Sequence, residues 1–305
     1  MKFWKMNGAG NDFVIINNLE ENIPLDKLPN IARTLCERHM SIGADGFMAV
    51  GKPSEGVQAD ARMLFYNSDG SIGEMCGNGA RCICRYCFEN GIGDGDLVTI
   101  ETTAGIVTGK RIDQRLYRIR LNDPTHIELD KVLNVDGVDY HCAYVMLGDP
   151  GIPHLAVEYP GQLGELCNAA HLVEADRAAL FEIGRKLRFH ADLPKGANVN
   201  FYEIVGIDEV DEITYERGVE DFTYACGTGT GSLVTALTLM DQVSGEHVRV
   251  NVRGGILYID VEEIDEEISS GNEGGGFDTA VHGLYLTGPT NIVCKGEVTD
   301  EDLKI

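Results

Sequence analysis

The sequence has few positive charges and no long apolar run. Its 25 Lys and Arg residues stand against 49 Asp and Glu residues, giving a net charge of -24 and a pI near 4.6. Proteins bind nucleic acids and anionic membranes largely by neutralising phosphates with Lys and Arg. The composition therefore argues against both partners, and a solvated acidic surface accounts for the charge.

Targeting segments and a disulfide framework are also lacking. No apolar stretch has the length needed to span a bilayer, and Met1–Asp12 lacks the pattern of a signal peptide. The nine cysteines are an odd number, and several fall on predicted apolar helix faces, where a disulfide framework would be out of place. These features predict a cytoplasmic protein in a reducing compartment. With 305 residues, the chain is long enough for two modest domains.

The common nucleotide and metal motifs do not occur in the glycine-rich and cysteine-rich segments. Neither glycine-rich loop has the Gly-Lys-Ser/Thr of a P-loop, and Ser232 stands where a dinucleotide fingerprint requires Gly or Ala. Cys82, Cys84 and Cys87 are close in sequence, but a helix would spread them around its circumference, and no second Cys/His cluster at ligand spacing accompanies them. We expect core cysteines, no metal and no cofactor.

Two cysteines share the pattern Cys-Gly-x-Gly. Cys76 opens one copy, Cys76–Gly79, and Cys226 opens the other, Cys226–Gly229. Each copy leads into an apolar run that predicts a helix, so each thiol is expected at a helix N-terminus, where unpaired N–H groups and the macrodipole favour a thiolate. The glycines would let backbone N–H groups come close to a bound anion.

The similarity extends upstream of both cysteines. Asn67 precedes Cys76 by nine positions, and Arg217 precedes Cys226 by nine; both follow a predicted strand. The segment Gly196–Phe201 also echoes Gly8–Phe13. This repetition predicts two structurally similar halves that face each other, with one thiol from each at the seam.

Two helices indicate how each half is built. The helix predicted over 228–240 has no charged residue, so it must be buried on all sides, and a sheet wrapped around it would bury it. The same argument applies more weakly to the helix predicted over 78–89. The predicted fold class is α/β, with two pseudo-symmetric halves, each a curled mixed or antiparallel sheet around a central buried helix, and an active site in the cleft between them. Asn122–Pro124 is the expected boundary.

Two thiols at helix N-termini favour a specific chemistry. A carboxylate held between the two helix starts would place its α-carbon between the sulfurs. One thiolate would remove the α-proton, and the opposite thiol would deliver a proton to the other face. The N–H donors would stabilise the developing carbanion, typically by a few kcal/mol per donor. The pattern therefore predicts an isomerase that inverts an amino-acid stereocentre without metal, pyridoxal phosphate or nicotinamide.

With these motifs, the sequence resembles the diaminopimelate epimerase family. The cofactor-independent enzymes of that family interconvert LL- and meso-2,6-diaminopimelate in lysine and cell-wall precursor biosynthesis. The resemblance covers nearly the whole chain and rests on six segments, in order: Gly10–Phe13, Asn67–Gly70, Cys76–Arg81, Tyr215–Gly218, Ala225–Gly229 and Leu286–Pro289.

The resemblance implies a role for each site residue. It makes Cys76 and Cys226 the two acid/base residues. The reacting carboxylate would be held by Gly77, Asn78, Gly227 and Thr228, and the rest of the substrate by Asn11, Asn67, Asn198 and Arg217. Glu216 and His154 would assist near the thiols. The family fold implies one domain of residues 1–122 plus 290–305 and another of residues 123–289.

Three positions depart from the family pattern near the substrate side chain. Gly46 stands where Gln is common, Phe222 replaces an acidic residue, and Gly148–His154 keeps the His but not the Asn of Gly-Asn-Pro-His. Two alternatives therefore stay open: a racemase of another free amino acid with the same chemistry, and a thiol redox or metal-binding protein. A small-molecule amino acid is the expected partner, and a homodimer is left open. The acidic glycine-rich segment 262–278 is expected to be an exposed loop without assigned chemistry.

Overall fold

The computed structural model describes every residue except 74, 94, 162, 265–275, 278–280, 300–302, 304 and 305. Most of the acidic loop predicted over 262–278 lies outside the described residues. The chain divides into two compact units, Met1–Arg120 with Thr287–Ile305, and Leu121–Leu286.

The first unit begins with two strands that form a hairpin and contains the first cysteine helix. Its elements up to residue 120 are β1 (Lys2–Gly8), β2 (Asn11–Asn17), α1 (Asn18–Glu21), α2 (Leu28–Cys36), β3 (Gly46–Gly51), β4 (Ala61–Asn67), α3 (Gly77–Glu89), β5 (Leu97–Thr102), β6 (Gly105–Arg111) and β7 (Leu116–Arg120).

The second unit contains the second cysteine helix, and the last strand of the chain belongs to the first unit. The elements are β8 (Pro124–Val135), β9 (Val138–Leu147), β10 (Ile152–Glu158), α4 (Leu163–Leu166), a 3₁₀ helix (Leu172–Glu174), α5 (Arg177–Arg188), β11 (Asn198–Gly206), β12 (Glu209–Glu216), β13 (Asp221–Phe222), α6 (Gly227–Leu239), β14 (Val248–Val252), β15 (Gly255–Ile264), β16 (Gly276–Phe277), β17 (Val281–Pro289) and β18 (Asn291–Glu297).

The strands of the two units repeat one order of pairing. In the first unit β18, β1, β2, β3, β4, β5, β6 and β7 follow one another, and the pairs β2/β3 and β4/β5 are parallel. In the second unit β9, β10, β11, β12 and β14 follow one another, and the pairs β10/β11 and β12/β14 are parallel. Because a parallel neighbour needs a crossover connection, α2 and α3 in one unit correspond to α5 and α6 in the other. The predicted repeat of the cysteine segments is therefore a repeat of topology.

One predicted correspondence is wrong. Gly196–Phe201 was expected to echo Gly8–Phe13, but it leads into β11, whose topological counterpart is β3. The counterpart of the Gly8–Phe13 segment is the β9–β10 connection, because β1 and β2 pair as β9 and β10 do. Similar glycine and asparagine content in two turns does not specify which strands the turns join.

The helices α3 and α6 form the centre of their units, as the sequence predicts. All residues of α6 from Gly229 to Thr238 are buried, and the helix packs against β8, β9, β10, β11 and β15. The same holds for Gly77–Cys87 of α3, which packs against strands of the first unit. On the other side of the strands in each unit lie the amphipathic helices: α2 packs on β3 and β4, and α5 packs on β11 and β12. Each unit thus encloses one helix and carries another outside.

The glycine-rich segment Asn7–Asp12 contains a tight hairpin turn. Ala9 and Gly10 have φ of 49° and 93°, the positive values that such two-residue turns require. Gly8 has no side chain where β1 passes α3, and a Cβ there would lie 2.8 Å from the carbonyl oxygen of Asn78. The glycine therefore lets the hairpin reach the first turn of α3.

Candidate active site

Cys76 is the N-cap residue of α3. Its backbone is extended, with φ of -116° and ψ of 113°, and its Sγ accepts a hydrogen bond from the Gly79 N–H at 3.4 Å. A Cβ at Gly79 would overlap the end of the Met48 side chain from β3. The thiol is partly exposed, and the first turn of the helix directs backbone N–H groups towards it.

Cys226 is the N-cap residue of α6 and has nearly the same backbone, with φ of -115° and ψ of 100°. Its Sγ lies 3.6 Å from the Thr228 Oγ1. A Cβ at Gly229 would overlap the side-chain amide of Asn200, which lies on β11 below the helix start. Gly227 and Gly229 are buried, and Thr228 is partly exposed. Both predicted helix starts therefore carry a thiol in the same local geometry.

Three polar side chains are linked along the start of α3. The Asn78 Nδ2 donates to the Asn11 Oδ1 at 2.6 Å, and the Arg81 Nη2 donates to the Asn78 Oδ1 at 2.8 Å. Asn78 and Arg81 are both buried. Burial lowers the pKa of Arg81 to about 10, and electrostatic attraction to Cys82, Cys76 and Cys84 opposes that change. Arg81 is therefore a charged group inside the core beside the thiol, whereas in the sequence it stood out only as part of a motif.

A network of charged side chains holds the turn that carries Asn11. Asp12 forms ion pairs with Lys5 at 2.7 Å and Arg38 at 2.8 Å, and Arg38 also binds Asp45 at 2.8 Å. The Asp45 carboxylate accepts hydrogen bonds from the Asp12 N–H at 3.2 Å and from the Asn11 Nδ2 at 3.4 Å. Burial acts to raise the pKa of Asp12, but hydrogen bonds from Lys5 and Arg38 bring it below its ordinary value. Sequence reasoning missed this network, because the burial of Lys5 and its ion pair with Asp12 are visible only in the structure.

In the second unit, three predicted site residues lie together. His154 on β10 and Asn198 on β11 are register partners in the parallel pair, and the Asn198 Nδ2 is 3.4 Å from the His154 Nδ1. The Asn198 Oδ1 accepts a hydrogen bond from the backbone N–H of Arg217 at 2.7 Å. Burial lowers the pKa of His154 to about 3, and the charge of Arg217 adds to this effect. His154 is therefore a neutral imidazole at physiological pH.

Cys226 lies in a buried and acidic environment. Burial raises its pKa well above the ordinary value, and the charge of Glu216 at the end of β12 adds to the rise. The Thr228 hydroxyl and the Gly229 N–H act in the opposite direction, because they stabilise a thiolate by hydrogen bonding. A neutral thiol is the resting form that this environment favours.

Asn67 is the last residue of β4 and the first residue of the turn that follows it. Its Nδ2 donates to the Ser71 Oγ at 2.9 Å, and its carbonyl accepts from the Gly70 N–H at 2.9 Å. The side chain thus stabilises its own turn and is partly exposed.

Two of the three departures from the family pattern, Gly46 and Phe222, have packing explanations. A Cβ at Gly46 would lie 2.5 Å from the Phe65 ring, so this position has no room for a Gln side chain. Phe222 on β13 joins an aromatic group, with ring centroids 6.0 Å from Tyr215 and 6.2 Å from Phe181. At both positions a hydrophobic contact occupies the space of the expected polar side chain.

The described residues contain neither a metal cluster nor a membrane helix. Among them, no group of three or more His, Cys, Asp or Glu side chains is arranged to hold a metal ion. None of the helices in that part of the chain combines the length and apolar character needed to cross a membrane. All nine cysteines fall within it, and each is a thiol rather than half of a disulfide.

The chain is similar in sequence to known epimerases. The family model described as diaminopimelate epimerase matches residues 3–120 and 168–274. The diaminopimelate epimerase of Aquifex aeolicus is 33% identical over 100% of both chains. The diaminopimelate epimerase of Moorella thermoacetica is 32% identical over 97% of this chain and 99% of its own length. The diaminopimelate epimerase of Agathobacter rectalis is 34% identical over 98% of this chain and 99% of its own length.

Solved structures share the fold at lower sequence identity. A probable proline racemase from Agrobacterium radiobacter aligns with a TM-score of 0.66 and 18% identity over 98% of this chain and 93% of its own. A PhzF-family phenazine biosynthesis protein from Bacillus anthracis aligns with a TM-score of 0.65 and 14% identity over 98% of each chain. The two α/β units are therefore those of a fold that also occurs in racemases. Taken with the whole-length sequence matches, these results show that the chain belongs to the diaminopimelate epimerase family.

Proposed function

We propose that this protein interconverts LL- and meso-2,6-diaminopimelate by a cofactor-independent transfer of the α-proton between two cysteines. The observation that carries the proposal is the whole-length similarity to diaminopimelate epimerases, at 33% identity over 100% of both chains for the Aquifex aeolicus enzyme. Two local features support it: Cys76 and Cys226 are each the N-cap residue of a buried helix, and their backbone angles are nearly identical.

In this proposal Cys76 and Cys226 act on opposite faces of one α-carbon. A thiolate takes the α-proton, the electron pair of the C–H bond passes into the adjacent carboxylate as an enediolate, and the opposite thiol donates its proton to the α-carbon. The product has the inverted configuration, and the thiolate and thiol have exchanged roles. No electrons or atoms are gained, so the scheme needs no cofactor or metal.

Backbone N–H groups at the two helix starts would hold the reacting carboxylate. Gly77 and Asn78 supply them on one side, and Gly227 and Thr228 on the other. Such donors stabilise the enediolate more than the carboxylate, because negative charge accumulates on these oxygens as the proton leaves. Since α3 and α6 begin at Gly77 and Gly227, these N–H groups lie in the first turn, where backbone donors are directed out of the helix.

The remaining site residues would recognise and assist the substrate. Asn11, Asn67, Asn198 and Arg217 bind its polar groups, and the guanidinium of Arg217 is suited to the distal carboxylate. His154, a neutral imidazole, and Glu216, whose charge acts on Cys226, assist proton transfer near the thiols. Asn11 is already bound to Asn78 and Asn198 to Arg217, so recognition would use positions that the fold holds in place.

Diaminopimelate is preferred here over another amino acid. The departures at Gly46 and Phe222 are explained by contacts with Phe65, Tyr215 and Phe181, so they do not require a different substrate side chain. A racemase of another free amino acid is the second candidate, because a probable proline racemase shares the fold.

We further propose that the enzyme works in the cytoplasm, where reducing conditions keep both thiols reduced. Its partner is the amino-acid substrate, and a net charge of -24 disfavours nucleic acids and anionic membranes. A homodimer is the assembly to test by sedimentation.

The deciding experiment follows LL-diaminopimelate in heavy water with reduced protein. We expect meso product carrying deuterium at the inverted carbon, and a loss of at least about 10³-fold in turnover for Cys76→Ala and for Cys226→Ala, the range expected for loss of a catalytic group. Cys294→Ala is the matched control, since Cys294 is exposed on β18, and it should keep turnover within about twofold.

Three outcomes would contradict the proposal. If diaminopimelate is inert and another amino acid is racemised, the substrate assignment fails. If inversion survives in either Cys76→Ala or Cys226→Ala, the two-thiol mechanism fails. Stoichiometric metal in the purified protein, found by elemental analysis and required for activity, would favour the metal-binding alternative.

A further inference from the structure

A buried carboxyl group lies under the start of α6 and has no part in the proton transfer described above. Glu212 is on β12, and only 3% of its surface is exposed. It shares one face of the strand with Thr214 and Glu216, while Ile213 and Tyr215 point to the other face and pack in the hydrophobic cluster beneath α5. Glu212 is therefore directed at α6.

Thr230 connects this carboxyl group to Cys226. The Thr230 Oγ1 is 2.5 Å from the Glu212 Oε2 and 3.0 Å from the carbonyl oxygen of Cys226. The backbone N–H of Thr230 donates to the same carbonyl at 2.9 Å. Thr230 is fully buried, so water does not compete for these contacts. The side chain and the backbone of Thr230 thus both contact the carbonyl oxygen of Cys226.

Counting protons determines the form of Glu212 in this arrangement. A threonine hydroxyl has one proton, so it can donate either to Glu212 or to the Cys226 carbonyl, but not to both. A carbonyl oxygen only accepts. Both contacts are hydrogen bonds only when Glu212 carries a proton and donates it to the Thr230 oxygen.

The surroundings of Glu212 agree with a neutral acid. Among the described residues its second oxygen, Oε1, is buried and has no hydrogen-bond partner, and an ionised carboxylate without partners is costly in the interior. Burial raises the pKa of Glu212 to about 8, although the hydroxyls of Thr230 and Thr214 act to lower it. On neighbouring β11, Asn200 offers an uncharged amide that accepts from Thr214 at 3.0 Å.

The charged groups on the elements that pack around β12 are engaged elsewhere or act on Cys226. From β12, Glu216 and Glu212 both act on the Cys226 thiol of α6. On β14, Arg249 lies 3.4 Å from Glu209 at the far end of β12. Three basic residues of α5, on the other face, form ion pairs with Glu182, Asp136 and Glu220: Arg185, Lys186 and Arg188.

We infer that Glu212 is a positioning residue for Cys226: as a neutral acid it donates to Thr230, which in turn fixes the Cys226 carbonyl and the first turn of α6. A second consequence follows from its charge. While Glu212 is neutral, it adds no negative charge beneath the thiol, and when it ionises, it opposes formation of the Cys226 thiolate. This inference rests on the proposed function only in taking Cys226 as a catalytic residue.

The test measures Cys226 itself as well as turnover. The rate of alkylation of Cys226 by iodoacetamide is followed by peptide mass spectrometry from about pH 6 to pH 10 in the full chain. The variants are Glu212→Gln, which keeps a donor to Thr230 but cannot ionise, together with Glu212→Leu and Thr230→Val, which remove the connection. Glu203→Gln is the matched control, because Glu203 is also a buried glutamate of this unit but binds His171 and Leu172.

In Glu212→Gln we expect the alkylation curve of Cys226 to move to lower pH by about half a unit or more, since the repulsion by an ionised Glu212 is removed. The same variant should keep kcat within about threefold, whereas Glu212→Leu and Thr230→Val should lower kcat about tenfold with KM little changed, because substrate contacts remain. Glu203→Gln should leave the curve in place.

The inference is overturned if Glu212→Gln and the wild-type protein give the same alkylation curve, or if Glu212→Gln loses as much turnover as Glu212→Leu. If Glu212→Leu does not fold, Glu212→Gln and Thr230→Val still decide the matter. Alkylation needs no substrate, so a failure of the diaminopimelate assignment would appear only in the turnover assay and would leave this result readable.

Discussion

Cys76 and Cys226 cap helices of 13 residues each, with φ of -116° and -115°, yet the charges around them differ. Five positions after Cys76 stands Arg81, buried and positively charged, and the attraction between it and Cys76 counters the lowering of its pKa by burial. Five positions after Cys226 stands Gly231, where a Cβ would lie 2.7 Å from Leu121. The second helix start therefore has no space for a cation at that position.

This difference separates two properties of the cysteine motif. The Cys-Gly-x-Gly sequence sets the backbone of the helix start, because both glycines permit close approach of neighbouring groups. The residues that arrive from other elements set the charge: Arg81 favours a thiolate at Cys76, while Glu212 and Glu216 oppose one at Cys226. A pair of similar motifs can in this way supply one base and one acid.

The largest expected contrast between the units is in the pH dependence of stability. A pKa of about 8 for Glu212 in the folded state lies above its ordinary value of 4.5, so its contribution to stability is full below pH 4.5 and is lost as pH rises to 8. Relative to Glu212→Gln, the free energy of unfolding of the wild-type protein should fall by about 4 kcal/mol over this range, since one pKa unit is worth about 1.4 kcal/mol. Urea unfolding at a series of pH values measures it.

Asp12 in the first unit is the control, because its effect on the pH dependence of stability has the opposite sign to that of Glu212. Asp12 has a pKa below its ordinary value of 3.8, so it contributes stability above that pH and loses it as the pH falls further. Asp12→Asn should therefore differ from the wild-type protein in stability at neutral pH and approach it in acid below the ordinary pKa. Wild-type and Glu212→Gln curves that stay parallel from pH 4.5 to 8 would contradict the contrast.

A second comparison replaces the second glycine of each Cys-Gly-x-Gly motif by alanine. In Gly229→Ala the new methyl group would overlap Asn200, whose amide is held by Leu155 and Thr214 at 3.0 Å each, so we expect a loss of about 3 kcal/mol in unfolding free energy. In Gly79→Ala the overlap is with the flexible end of Met48, which can move, and the loss should be about 1 kcal/mol. Equal losses in thermal or urea unfolding would show that the two helix starts are packed alike.

The smallest expected effect concerns thiol reactivity. Near neutral pH we expect iodoacetamide to alkylate Cys76 about tenfold faster than Cys226, because alkylation proceeds through the thiolate. Peptide mass spectrometry gives both rates in one sample, and the exposed Cys294 reports the rate of an unburied thiol. Arg81→Met should bring the two rates closer together. If Cys226 reacts faster than Cys76, the electrostatic contrast between the helix starts is wrong.

Local patterns predicted much of the fold. The helices predicted over 78–89 and 228–240 are α3 and α6 within one residue at each end, because their apolar sequences and glycine starts are strong signals. Strand β1 and the first half of β8 were not predicted. Parts of both strands are exposed, and their sequences mix polar and apolar residues. Strict alternation of apolar and polar residues, which predicts a strand, was therefore absent.

Long-range contacts were beyond such patterns. The link from Asn11 to Asn78 joins residues 67 positions apart, and the ion pair of Asp12 with Arg38 spans 26. Glutamate is seldom buried, so no local pattern indicated a buried Glu212. Its position under α6 depends on which face of β12 the sheet presents to the helix.

The sequence by itself determined the two thiols, the helices they cap and the strand–helix repeat that carries them, because these depend on residues close to each other along the chain. Only the tertiary structure decided which charges surround each thiol. Arg81 lies on α3, which packs against strands that precede it and strands that follow it in the chain, and Glu212 meets Thr230 only after β12 and α6 pack together. Burial by distant segments removes the water that would screen these charges, so equal motifs come to have different electrostatics.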